Sequence, residues 1–162
     1  MIPLLIPAAI KVSVAVAVAL PGLIQHERIV KRPYRDIAGV LTVCAGETQG
    51  VENREYSETE CKLMAAERLS RDFERPIRAC TPNWDDLALQ TQVATLTFVY
   101  NIGTAGYCRS TARKRFATGD IAGGCRAFRL WNKARVNGEL RVVKGLDNRR
   151  KEEERLCLEG VA

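Results

Sequence analysis

A single histidine, His26, and six cysteines without one Cys-x-x-Cys pair leave the chain short of the clustered nitrogen and sulfur ligands that a zinc site needs. Neither a metal nor any other cofactor is expected. Aromatic residues make up only 6% of the chain and form no stacking series, and no nucleic-acid-binding motif is present, so nucleic acid is not expected as a partner. The net charge of +6, from 25 Lys and Arg against 19 Asp and Glu, still favours an anionic partner such as membrane headgroups or a cell-wall polymer. Arg113, Lys114, Arg115, Arg126 and Arg129 recur on predicted helices, where they suit a carboxylate-bearing glycan. Internal repeats and low-complexity linkers are also lacking, so 162 residues imply one compact monomeric enzyme-sized core, divided at most into two lobes.

Two further absences concern the N-terminus. No Lys or Arg precedes Lys11, and no cysteine precedes Cys44. Residues 2–24 are otherwise almost uncharged, and about 20 apolar residues suffice to cross a bilayer. Lys11 in the middle costs roughly 2.5 to 3.5 kcal/mol on insertion, and Pro3, Pro7, Pro21 and many alanines lower the hydrophobicity further. One reading is a cleaved export signal, with small-residue patterns at Ala15-Val16-Ala17 and Ala17-Val18-Ala19; the missing basic n-region argues against it. The other is an uncleaved, marginal membrane segment over residues 1–25 followed by a domain over 26–162.

What the chain does have is a carboxyl pair in a suggestive setting. Glu27, Asp36 and Thr42 are separated by eight and then five residues, with Pro33-Tyr34 between them, and Gly39, Val40 and Thr42 read as a hairpin carrying Asp36 and Thr42. Glycoside hydrolysis uses one protonated carboxyl to serve the leaving oxygen and a second, ionised group across the bond. With 19 acids in the chain, spacing alone is a weak signal. Farther on, Ser57-Glu58-Thr59-Glu60 forms a capping-box pattern that predicts a helix to about Ile77. Apolar residues from Leu87 to Tyr100 predict a helix over 85–101 ended by Gly103, shorter helices are predicted over 110–117 and 121–131, and a charged one over 146–159. Trp131, beside Phe128 and Leu130, reads as core.

The stretch HERIVKRPYRDIAGVLTVCAGET resembles the catalytic segment of the phage-type lysozymes, the muramidase endolysins of tailed phages. TFVYNIGTAGYCRST, GDIAGGCRAFRLW and KGLDNRRKEEERLC are similar to three later blocks of that family, in the same order. Arg28 and Glu47 depart from it, standing where the family usually has Gly and His; Arg28 should point away from Glu27, because a guanidinium against the carboxyl would oppose proton donation.

The resemblance implies an α+β lysozyme-like fold: a small lobe with a catalytic hairpin, a long connecting helix and a larger all-helical lobe, with the cleft between the lobes. It implies Glu27 as general acid, with Asp36 and Thr42 positioning water against the β-1,4 bond between N-acetylmuramic acid and N-acetylglucosamine in peptidoglycan. Inversion is the family precedent. Tyr34, Asn101 and Arg149 match cleft-lining positions, although Tyr34 equally packs a turn, Asn101 equally caps a helix and Arg149 equally pairs with Glu153. Six cysteines allow 15 connectivities; resemblance and chain order imply Cys44 with Cys61, Cys80 with Cys108 and Cys125 with Cys157. The apolar start resembles the signal-arrest-release subgroup, which implies export by the host Sec machinery, residence at the periplasmic face of the inner membrane, and later release into the periplasm. Two other functions compete: a lytic transglycosylase acting on the same bond, and a non-catalytic cationic wall- or membrane-binding protein.

Overall fold

A computed structural model describes residues 11–25 and 27–161; the first part of the expected apolar segment, residues 1–10, lies outside them, as does His26. The chain divides into two compact units, residues 1–70 and 71–162.

The first unit opens with helix α1, Val14–Ile24, whose Ser13 cap accepts a hydrogen bond from the Val16 N–H at 3.1 Å. Ala15, Val16 and Ala19 are buried, on the one-turn spacing that gives a helix a single covered face, while Val14 and Val18 are exposed. α1 lies against helix α2, Glu58–Arg68, whose own buried face is Cys61, Ala65 and Ala66; small side chains on both helices permit close approach. Eleven residues span roughly 16 Å, half the hydrocarbon thickness of a bilayer. Among the described residues no helix is long and apolar enough to cross a membrane.

Strands β1, Val30–Arg35, and β2, Leu41–Cys44, pair antiparallel, with a register irregularity between Val30 and Tyr34 where Pro33 lacks a ladder donor. Val43, Cys44, Tyr56 and Cys61 form the unit's small core, with Ile29, Val51 and Met64 packed against it. The capping box at the start of α2 is complete: the Ser57 hydroxyl accepts from the Glu60 N–H, and the Glu60 carboxylate accepts from the Ser57 N–H. The helical path then runs farther than Ile77 and is not uniform. A π-helical turn, Leu69–Glu74, intervenes before α3, Arg75–Cys80. Pro76 accounts for it, since its ring would collide with the Asp72 carbonyl in a regular helix and it has no N–H to donate.

In the second unit a 3-10 turn, Trp84–Asp86, and extended backbone at Leu87 replace the first residues of the predicted 85–101 helix, which as α4 occupies Leu89–Ile102. Helices α5, Thr104–Arg109, α6, Thr111–Ala117, and α7, Ile121–Arg126, follow, then a 3-10 turn, Ala127–Trp131. The α+β architecture holds, but this unit is not wholly helical. Strands β3, Lys133–Val136, and β4, Glu139–Val142, make a hairpin before α8, Lys144–Glu159. α4 packs against α8, and the Phe98 ring stacks on Phe128 at 4.3 Å. Phe128 is fully buried, whereas Trp131 meets Phe98 edge-on and keeps 36% of its surface, so it borders the core instead of filling it.

The three cysteine pairs are Cys44–Cys61, Cys80–Cys108 and Cys125–Cys157, with Cα separations of 5.1, 5.8 and 5.6 Å. The first ties β2 to α2 and the last ties α7 to α8.

Candidate active site

The β1–β2 connection is built around Asp36. Its Oδ1 accepts hydrogen bonds from the Ala38 and Val40 N–H groups, each at 2.9 Å, while its own N–H donates to the Val40 carbonyl at 3.0 Å. An aspartate folding its carboxylate onto the backbone two residues ahead stabilises such a turn, and Gly39, at φ 76°, supplies the left-handed residue. Arg35 closes the loop by donating to the Gly39 carbonyl at 2.8 Å. With Oδ1 so occupied, the carboxylate is fixed in orientation, and Oδ2 has no hydrogen-bond partner among the described residues.

Register places Thr42 opposite Tyr34, so the two side chains share one face of the hairpin. Thr42 is buried, and its hydroxyl donates to the Val40 carbonyl at 3.0 Å, which leaves the oxygen's lone pairs as acceptors. Tyr34 is half-exposed and lines a depression of about 550 Å³ together with Glu27, Arg28, Val30, Ala45 and Gly46. Glu27 reaches it from the end of α1, where its N–H donates to the Ile24 carbonyl at 3.0 Å. Glu27 and Arg28 are both exposed, and among the described residues neither takes part in an ion pair. The depression thus joins Glu27 to Tyr34 and, through the register, brings Thr42 alongside; Asp36 sits at the hairpin end and is not one of the lining residues.

The tight turn after β2 contributes Ala45 and Gly46 to the lining of the same depression. Cys44 (φ 60°) and Gly46 (φ 98°) are both left-handed, and Val43 and Glu47 exchange backbone hydrogen bonds at 2.9 Å. Glu47 organises this turn: its buried carboxylate accepts from the Ala45 N–H at 2.8 Å through Oε2, and Oε1 lies 3.4 Å from Nε of Arg68 on α2. Sequence reasoning noted Glu47 only as a departure from the family pattern and passed over Ala45, Gly46 and Arg68. Gly46, two residues past the end of the strand, was the available turn signal.

Asn101 and Arg149 belong to the second unit. Asn101 is exposed near the end of α4, which closes with the Gly103 N–H bonded to the Val99 carbonyl. Arg149 is exposed on α8, and the partner of Glu153 is instead the buried Arg150, at 2.7 Å.

The family model described as phage lysozyme matches residues 24–153, a span that holds Glu27, Asp36, Thr42 and every lining residue of the depression. The chain belongs to the phage lysozyme family. This phage lysozyme is 41% identical over 146 residues to the SAR-endolysin of Pseudomonas phage phiKMV, covering 90% of this chain and 89% of that protein. It is 37% identical over 135 residues to the SAR-endolysin of Escherichia phage Mu, covering 82% and 74%. Solved structures with the same fold include a P22 lysozyme mutant, at TM-score 0.65 and 22% identity over 91% of this chain and 98% of that one. The active form of the P1 phage endolysin Lyz also matches at TM-score 0.65, with 21% identity over 95% and 88%.

Proposed function

We propose that Glu27, Asp36 and Thr42 cut peptidoglycan in this chain. The protein is a phage endolysin of the muramidase type, a glycoside hydrolase that cleaves the β-1,4 bond between N-acetylmuramic acid and N-acetylglucosamine for host cell lysis. Glu27 protonates the glycosidic oxygen from the rim of the depression. Asp36 and Thr42 hold the attacking water: the free Oδ2 of Asp36 and the unused lone pairs of Thr42 are the acceptors that such a water needs. Tyr34, Asn101 and Arg149 are the further substrate-binding residues. The observation that carries this reading is the family match across residues 24–153 with Glu27 on the lining of the depression.

The apolar start, residues 1–25, serves as a signal-arrest-release segment. It is exported through Sec, holds the enzyme at the periplasmic face of the inner membrane, and then leaves the bilayer. Similarity to SAR-endolysins supports this, as does α1, whose residues cannot lie in a bilayer and against α2 at once. The released enzyme acts in the periplasm as a monomer.

Product analysis tests the chemistry. Digestion of purified peptidoglycan should yield muropeptides with reducing ends and one added water; anhydromuramic products would mean a transglycosylase and overturn the water-positioning role of Asp36 and Thr42.

A further inference from the structure

The two units differ in charge. Residues 1–70 contain eight Lys and Arg against eight Asp and Glu, so the whole net charge of +6 resides in residues 71–162. Within that unit the β3–β4 hairpin carries mostly exposed side chains. Asn137 and Gly138, both at positive φ, form its turn, and its base is held where the Val143 N–H donates to the Asn132 carbonyl and the Asn132 amide donates to Asp147 of α8.

Register separates the hairpin's two faces. Lys133 pairs with Val142 and Arg135 with Leu140, so these four side chains share one face; Ala134, Arg141, Val136 and Glu139 share the other. The second face is neutralised internally, because Arg141 binds Glu139 at 2.5 Å, and Ala134 is partly buried. On the first face Leu140 and Val142 are 63% and 58% exposed, while Lys133 and Arg135 are exposed and form no ion pair among the described residues. Among the described residues Arg135 donates only to the Gly138 carbonyl, within its own turn.

We propose that this face docks the hairpin onto the surface of an anionic phospholipid bilayer. Aliphatic groups alternating with cations match a headgroup boundary, where the apolar side chains sink below lipid phosphates that the cations bind. A hydrated glycan offers the cations a partner but gives Leu140 and Val142 nothing to bury against. The surface shares no residue with the catalytic depression, and it would keep the released enzyme concentrated at a membrane after α1 has withdrawn.

Co-sedimentation of the full chain with vesicles tests this, using phosphatidylethanolamine with phosphatidylglycerol, and phosphatidylcholine alone. The N-terminal segment is common to all variants and cancels in the comparison. Lys133→Gln with Arg135→Gln should weaken partitioning to the anionic vesicles about 30-fold, the equivalent of about 2 kcal/mol at tenfold per 1.4 kcal/mol, and leave phosphatidylcholine binding unchanged. Leu140→Ser with Val142→Ser should remove the part of the binding that survives high salt, whereas Arg141→Gln, on the opposite face, should change nothing. Equal partitioning of the charge variant and the wild type overturns the proposal. So does a charge variant that loses binding to purified sacculi and keeps its binding to vesicles, which would assign the face to the cell wall.

Discussion

Arg68→Met removes the only ion-pair partner of the Glu47 carboxylate among the described residues and strands a buried charge in the turn that lines the active-site depression. Stranding one member of a buried pair costs about 3–5 kcal/mol. The Arg68 side chain keeps 24% of its exposure, so some solvent screening already applies, and a value near the lower end, about 3 kcal/mol, is expected. At roughly 2–4 °C per kcal/mol for a chain of this size, the melting temperature should fall by about 6–12 °C. Glu47→Gln in the Arg68→Met background removes the stranded charge while its amide oxygen still accepts from the Ala45 N–H, so the double variant should recover about 1 kcal/mol or more. Loosening of Ala45 and Gly46, which line the depression with Glu27, should also lower kcat/KM, by up to about 100-fold. Denaturant unfolding and muramidase kinetics on both variants decide the matter. An Arg68→Met cost below about 1 kcal/mol, the scale of an ordinary surface pair, or a double variant no better than the single one, would refute the reasoning.

Other consequences follow from the second unit and the N-terminus. Burial pushes the Glu153 carboxyl up to about 7, against the pull of Arg150, so this group's stabilising contribution is full below its ordinary value of 4.5 and is lost as pH rises through about 7. Glu153→Gln should flatten that part of the stability–pH curve, and an unchanged slope would count against it. Cys125→Ala with Cys157→Ala opens a link of sequence separation 32 and should cost about 3 to 4 kcal/mol; free thiols at these positions in periplasmically exported protein would contradict the pairing. Lys11→Leu removes a penalty of roughly 2.5 to 3.5 kcal/mol and should hold exported full-length protein in the membrane, largely inactive. A mature N-terminus near Ala17 or Leu20 would mean cleavage and end the release reading.

Features fixed by short-range chemistry were legible in the sequence. The Ser57–Glu60 capping box and the Asp36–Gly39 turn each depend on side chains within four residues of the backbone groups they satisfy, and both are present. The β3–β4 hairpin was legible and missed: Asn137-Gly138 between Lys133–Val136 and Glu139–Val142 is a strong two-residue turn signal, overlooked beside the helical pattern on either side. The pairing of Glu47 with Arg68 was not legible, because it depends on how α2 is seated, whereas the π-helical turn had a local signal in Pro76 that the predicted unbroken helix passed over. Arg149 and Arg150 show the same limit at one-residue scale, since helix phase alone decides which of two adjacent arginines is exposed and which is buried on Glu153.

The central claim is that Glu27 supplies the proton, and one comparison tests it most directly: clearing of outer-membrane-permeabilised Gram-negative cells by wild type and by Glu27→Gln at equal folded concentration. The amide fills the same volume but cannot donate the proton, so the account predicts a folded protein, with the melting temperature of the wild type, that clears nothing. Retention of more than about a tenth of wild-type clearing would contradict it.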